Sequence, residues 1–361
     1  MSGLFLACSQ SGVSEKALEF VRNFCRRVFA LELNRTDGQK TVIKYTPDMG
    51  RKRFLPLTHA LSDCFVSVLA ESKQGERSGL GELLATIVTD FRSLSATPEF
   101  SGKIDASRSA DRMIQSFSHR FVGLCHEGDW SRKMAGVSAI SILVHKPDIG
   151  RKLLTDLEID LIRALLFCLR DAPQEAPSTS EEVVELMKHL IRTCQSNEDG
   201  RSKLPRLTET LVIELNSQSP LSRSAAQQCI EILGHVTSQA VPDLIGSTAK
   251  SKLLDASAGP IFSKPLRALP IPMQVGNIEA VTYLMELRPS IIETTEEFVR
   301  LLHEVLALAD VDDASIISKP ATHKADAWLK TLRIASLRLL RSAMATPDFL
   351  GKPNLAPVRS R

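Results

Sequence analysis

Apolar residues recur at helical spacing almost from one end of the chain to the other, and this continuity limits the fold more than any other feature. Residues 14–32 (SEKALEFVRNFCRRVFALE) place Ala17, Phe20, Val21, Phe24, Val28 and Leu31 on one face, behind Ser14 as a cap. Residues 56–70 (PLTHALSDCFVSVLA) begin with Pro56 at a first-turn position, where a missing N–H costs nothing. Comparable patterns predict helices near 80–95, 107–126, 129–145, 155–171, 179–195, 201–217, 221–237, 241–254, 276–288, 293–310 and 324–345. Only TVIKY at 41–45 has the character of a strand. Turn chemistry fills the breaks: SKQGERSG (72–79), DAPQEAPSTS (171–180), SNEDG (196–200) and SKPLRALPIP (263–272). Proline cannot continue a helix interior and pushes the preceding residue out of the helical region, so these stretches end helices cleanly. About 13 helices in short-looped succession imply an all-α chain and an irregular α-solenoid of stacked antiparallel helix pairs, not a closed bundle.

Composition agrees with this reading. Aromatic residues are only 5% of the chain, and a core rich in Leu and Ala suits helices packed on helices better than sheets. The net charge of +3 does not by itself point to nucleic acid, although residues 16–53 hold ten Lys or Arg against four acids. Residues 293–313 reverse the balance, with seven acids against Arg300. Such runs are read as solvated helix faces, with partner steering as the alternative. The seven cysteines form no CxxC and lie mostly in apolar helical runs, which reads as buried thiols in a reducing compartment. MSGLFLAC is apolar but lacks the basic start of a signal peptide, and no stretch approaches the ~20 apolar residues of a membrane span. The expectation is a soluble intracellular protein.

A weak internal repeat gives the helices more definition. SRKMAGVSAIS, SRSAAQQCIEIL and LRIASLRLLRSA each follow an arginine with a small residue three positions on: Arg132/Ala135, Arg223/Ala226 and Arg333/Ser336. Seven and ten positions beyond the arginine come Ala139 and Ile142, Ile230 and Leu233, Leu340 and Ala343. These offsets share one helical face, and the small residue lets a neighbouring helix approach closely. The arginine, near the helix start, is placed to reach loop carbonyls of an adjacent repeat. This is the pattern of HEAT-type repeats, whose helix pairs stack because no single pair buries its own face. Trp130 then reads as a large core anchor at the start of its helix, with Met134, Val137 and Ile140 continuing the stripe.

On these residues a family resemblance can be stated. LCHEGDWSRKMAGVSAISILV (124–144), GRKLLTDLEIDLIRALLFCLRDAPQEAP (150–177) and KPLRALPIPMQVGNIEAVTYLMELRPSII (264–292) resemble, in order and spacing, segments of the transformation/transcription domain-associated protein (TRRAP) family. LHEVLALADVDD (302–313) and LKTLRIASLRLLRSAMATPDF (329–349) continue the likeness. The resemblance is clear over residues 110–349, while 1–109 are less distinctive helical repeats. It implies a HEAT-repeat piece of a very long chain related to phosphatidylinositol-3-kinase-like kinases, whose kinase-like domain has lost its catalytic residues. It further implies a scaffold of the histone acetyltransferase complexes SAGA and NuA4, recruited by transcription activators in the nucleus. The expected organisation is N-terminal repeats (1–109), HEAT-like repeats (110–255), a Pro-rich connection (256–275) and further repeats (276–361) that read as truncated at NLAPVRSR. Partners are then proteins, namely acetyltransferase-complex subunits and activators. No cofactor, metal, small-molecule substrate, direct nucleic-acid reading or membrane is called for.

Catalytic motifs are missing from the sequence. It contains no GxxxxGK[ST], no HExxH, and no HRD and DFG pair. Cys125 and His126 are adjacent, so on a helix they point apart and read as packing, not as metal ligands. Ser138 in GVSAI lacks the second glycine of a nucleophile elbow. GRKRF (50–54) reads as a solvated loop, with nuclear import as its alternative; helix 293–313 and the acidic loop 171–187 read as solvated surface, with partner contact as theirs. Two other functions stay open: a free-standing adaptor or transport carrier, marked by a C-terminal capping helix with a polar outer face, and the regulatory arm of an active kinase, marked by downstream HRD-like and DFG-like residues.

Overall fold

Helix starts follow the turn chemistry. In the computed structural model, which describes residues 2–9, 15–34, 42–45, 53–101, 106–145, 149–172, 177–247, 265–288, 290–292, 295–310 and 323–346, proline stands in the first turn of several helices. Ser219 caps the helix that opens with Pro220, its hydroxyl accepting from the Ser222 amide, and Asn197 accepts from the Gly200 amide at 2.8 Å in the same way. Glu76 reaches back to accept from the Lys73 amide at 2.9 Å, satisfying a donor the helix leaves open. One helix ends on Ser238 in the left-handed region, with φ at 56°.

Residues 1–168 and 169–361 form two compact units. The first contains α1 (Ser2–Ser9), α2 (Glu15–Leu33), strands β1 (Val42–Tyr45) and β2 (Arg53–Pro56), α3 (Leu57–Glu71), α4 (Gln74–Ser95), α5 (Pro98–Ser101), α6 (Ala106–Cys125) and α7 (Trp130–His145). Most of α8 (Arg151–Arg170) belongs to it as well. β1 and β2 pair antiparallel, Val42 opposite Pro56 and Tyr45 opposite Arg53. Helix α2 packs on α4, α3 on α6, α4 on both α6 and α7, and α6 on α7. A chain of rings runs through this core: Phe5 meets Phe65 edge-on at 5.4 Å, Phe65 meets Phe117 at 5.9 Å, and Phe117 meets Phe121 at 5.9 Å.

The second unit holds α9 (Pro177–Gln195), α10 (Glu198–Arg201), α11 (Leu204–Glu214), α12 (Pro220–Thr237), α13 (Val241–Ser247), α14 (Ile271–Glu286), α15 (Glu296–Asp310) and α16 (His323–Met344). Here α9 and α11 pack on α12, while α14 and α15 pack on α16. The core at that end is mostly aliphatic, with Ile278, Val281, Leu302, Val305, Leu332 and Leu339 buried around Phe298. The all-α, HEAT-like architecture expected from the periodicity is therefore present in both units. Three short helices, α1, α5 and α10, join the expected ones, and β1–β2 is one two-stranded ribbon among the described residues. α14 starts at Ile271, inside the stretch read as irregular; residues 248–264 lie outside the described ones, as do 173–176 of the acidic loop, which is helical from Pro177.

Two faces differ from expectation. In α2 the buried residues are Val21, Cys25, Val28, Phe29 and Leu33, whereas Phe20 and Leu31 are 57% and 61% exposed. The helix carries apolar side chains around more than half its circumference, so periodicity alone fits either face. In α7 Trp130 is only half-buried, while Val137 and Ile140 of the expected stripe are buried together with Ala135, Gly136, Ala139, Leu143 and Val144. α7 meets α6 closely at Gly136, where a Cβ would stand 2.8 Å from the Cys125 sulfur and 2.8 Å from the Phe121 carbonyl oxygen. A large anchor does not fit where backbones approach this closely. Accordingly, Gly136→Ala is expected to destabilise the protein by about 2 kcal/mol through overpacking. Gly123→Ala, on an open surface of α6 with nothing within 4 Å, should stabilise it by about 0.5–1 kcal/mol. Thermal melts of the two variants check both signs.

Candidate functional site

Arginines tie the helices of each unit together, and these ties are the most specific polar chemistry among the described residues. Arg223, buried in the first turn of α12, donates from Nη1 to the Ser217 carbonyl at 2.6 Å and from Nε to Glu279 of α14 at 2.8 Å. It thus joins the loop before its own helix to α14. Ala226, one turn on, is fully buried, as are Ile230 and Leu233.

The other two arginines of the repeat behave differently. Arg132 is exposed and pairs with Glu127 at 2.7 Å in the preceding turn, while its amide donates to Asp129 at 3.0 Å. The pairing raises its pKa, first through the hydrogen bond to Glu127. Arg333 is half-buried along α16. Behind them Ala135 and Ser336 are both fully buried, so the small residue keeps its place where the arginine does not. Ile142 is half-buried, whereas Ala139, Leu340 and Ala343 are buried.

The residue that plays the part of Arg223 in the first unit is Arg77, which the repeat pattern did not select. From the first turn of α4, its Nη2 donates to the Ser72 carbonyl at 3.2 Å, to the Ser131 carbonyl at 2.8 Å and to the Ser131 hydroxyl at 2.7 Å. Burial lowers its pKa, and Asp129 offsets part of that. The available signal was its position, an arginine in the first turn after SKQG. One residue further than the repeat prescribes comes Gly81, where a Cβ would meet Ile142 at 2.6 Å.

Two buried carboxylates were also invisible to periodicity. Asp90 of α4 receives both Nε and Nη2 of Arg22 from α2, at 2.6 and 2.8 Å. Glu214, at the end of α11, receives Arg170 in a two-pronged contact, Nε at 2.9 Å, and the Ser222 hydroxyl at 2.6 Å. Hydrogen bonding to these carboxylates raises the pKa of both arginines. Ser219 adds a bond to the Leu169 carbonyl at 2.9 Å, so within the second unit Arg170, Glu214, Ser219 and Ser222 join the Leu169–Arg170 segment, α11 and α12 in one network.

The described residues bring no reactive cluster together. His126 stacks on Phe167 at 4.5 Å, and Lys133 places its ammonium 4.4 Å from the same ring. Ser138 donates to the Met134 carbonyl at 2.9 Å within its own helix. Burial pushes the Cys25 and Cys229 thiols up to about 12, and raises Cys8 too. Cys125 is raised by its hydrogen bond with Cys168 and then by burial. Among the described residues, no group of three or more His, Cys, Asp or Glu could hold a metal ion, and no helix is long and apolar enough to cross a membrane. The basic run 50–54 lies outside the described residues except for Arg53 and Phe54 in β2.

Helix pairs joined in this way define a HEAT-type helical-repeat protein. The chain belongs to the family of the Tra1 HEAT repeat ring region, which matches residues 1–361. It is 30% identical over 244 residues to the SAGA complex/NuA4 acetyltransferase complex subunit TRA1 of Saccharomyces cerevisiae, covering 65% of this chain and 6% of that protein. It is 26% identical over 318 residues to the SAGA complex/NuA4 acetyltransferase complex subunit Tra1 of Schizosaccharomyces pombe, covering 86% of this chain and 8% of that protein. The Probable transcription-associated protein 1 of Dictyostelium discoideum is 31% identical over 160 residues, 42% of this chain and 3% of that protein. The chain thus spans less than a tenth of the length of each.

The Arg170–Glu214 tie makes an asymmetric prediction. Arg170→Ala leaves a buried carboxylate without its cation and should cost about 3 kcal/mol. Glu214→Gln keeps the shape, leaves a half-exposed arginine that water can solvate, and should cost about 1 kcal/mol. Denaturant unfolding of the two variants checks the order.

Proposed function

We propose that this chain is a non-catalytic scaffold segment of a SAGA- or NuA4-type histone acetyltransferase complex. It works in the nucleus through protein partners: complex subunits and the transcription activators that recruit them. The observation that carries this reading is the family match over residues 1–361, together with relatives named as subunits of both complexes. The structural chemistry supports it. Arginine ties and close helix contacts spend the polar groups on internal geometry, which suits a part whose task is to hold a shape. In this reading Trp130, Arg132, Ala135, Arg223, Ala226, Arg333 and Ser336 serve the fold of the repeats and not a ligand. The blocks 1–109, 110–255 and 276–361 act as successive repeat regions, with 256–275 connecting them.

The test is a tagged purification of the endogenous gene product from nuclear extract, assayed for acetyltransferase activity on histones. Activity that co-purifies with the tag is the expected result. A nuclear product that brings down no acetyltransferase would overturn the assignment and return the chain to the class of free helical adaptors.

A further inference from the structure

We propose that Ser219, in the turn between α11 and α12, is a phosphorylation site for a proline-directed protein kinase, and that its phosphate opens the polar tie between the Leu169–Arg170 segment, α11 and α12. The sequence supplies the acceptor. Four hydroxyl residues stand directly before a proline: Thr46, Thr97, Ser219 and Thr346. Thr46 lies outside the described residues. Thr97 donates to the Leu94 carbonyl at 2.8 Å and Thr346 to the Ser342 carbonyl at 3.0 Å, each within its own turn. Ser219 instead donates to another element, the Leu169 carbonyl at 2.9 Å. Of the described three, it is the one whose modification reaches beyond its own turn.

The local backbone suits the reaction. Ser219 is extended, with φ −80° and ψ 122°, and half-buried between exposed Gln218 and Pro220. A kinase must bring the acceptor hydroxyl into line with the γ-phosphoryl group of ATP, which an extended segment with both neighbours in solvent allows. Transfer forms a bond from Ser219 Oγ to the γ-phosphorus and breaks the bond to its bridging oxygen. ADP leaves, and the hydroxyl proton passes to the kinase's base.

The consequence follows from what Ser219 touches, all of it within the second unit. Its hydroxyl gives its one proton to Leu169 and accepts from the Ser222 amide. A phosphorylated Oγ has no proton to give, so the Leu169 carbonyl then faces about −1.5 to −2 charges at neutral pH. Glu214 stands in the same hydrogen-bond chain, buried, with Oε1 accepting from the Ser222 hydroxyl at 2.6 Å. Phosphate and carboxylate repel each other and compete for one cation. Arg223 is already committed, to the Ser217 carbonyl and to Glu279. Arg170 is half exposed and is the guanidinium that can turn to the phosphate, which leaves Glu214 buried without it. The inference is independent of the scaffold assignment, because it needs only this turn and its neighbours.

The test incubates the full-length protein with ATP and a purified proline-directed serine/threonine kinase, and locates phosphate by peptide mass spectrometry. Ser219 is expected to be modified. Pro220→Ala keeps the hydroxyl and should lower that modification about tenfold or more. Hydrogen exchange is then compared between the two treated proteins, since the variant carries whatever the kinase adds elsewhere. Amides of the Leu169–Arg170 segment and of the first turn of α12 should exchange about tenfold faster with phosphate on Ser219. In Glu214→Gln, which has no carboxylate to repel the phosphate, phosphorylation should speed exchange clearly less. A Ser219 that stays unmodified in the folded protein overturns the site. Exchange that is unchanged or slowed by the phosphate overturns the opening, as does an equal acceleration in Glu214→Gln.

Discussion

The guanidinium group does for this chain what apolar packing cannot do alone. Helix stripes of Leu, Val and Ala attract one another without direction, and sliding one helix past another by a turn keeps much of the buried area. A two-pronged contact such as Arg22 on Asp90 or Arg170 on Glu214 exists in one register only. Arg77 and Arg223 add a second restraint, because each binds the carbonyl of the turn that precedes its own helix. Turn, helix and neighbouring helix are then fixed by one side chain. Ion pairs of this kind contribute modestly to stability and more to uniqueness, which is the quantity a repeat array depends on.

The two units reach the same architecture with different cores. Unit one threads phenylalanines from α1 through α3 to α6, in a chain where aromatic residues are scarce overall. Unit two packs aliphatic residues from α14, α15 and α16 around one ring. Where backbones approach closely, both units remove side chains: Gly136 against α6, and Gly276 against the turn after α11, where a Cβ would stand 2.7 Å from the carbonyl oxygens of Asn216 and Ser217. Glycine in a helix interior costs backbone entropy, so its presence at these two contacts marks them as places where proximity outweighs propensity.

Element type was readable from sequence because it depends on local periodicity and on turn residues. The long helices begin and end close to where Pro, Ser and Gly place them. Orientation was less readable. Phe20 and Leu31 share a helical period with Val21 and Val28, and only the arrangement of neighbouring helices decides which set is covered. Trp130 misled for a related reason, since size suggested an anchor and the contact required small residues. The repeat arginines show the boundary most clearly. Arg223 does what its position suggests, whereas Arg132 turns to a nearby Glu127 and Arg77 does the same work as Arg223 from an unremarked position. Buried Asp90 and Glu214 carried no local mark at all, because their partners lie 68 and 44 residues away in sequence.

The thiols lend the molecule an internal gauge. They are spread one to a helix over α1, α2, α3, α6, α8, α9 and α12, and all but Cys64 are buried. A buried sulfur reacts with an alkylating reagent only when its own helix lifts away from its neighbours. The sequence in which these sulfurs become labelled therefore ranks the helices by how readily each opens. That ranking covers the seven helices that carry a sulfur and is silent for the others, α14, α15 and α16 among them.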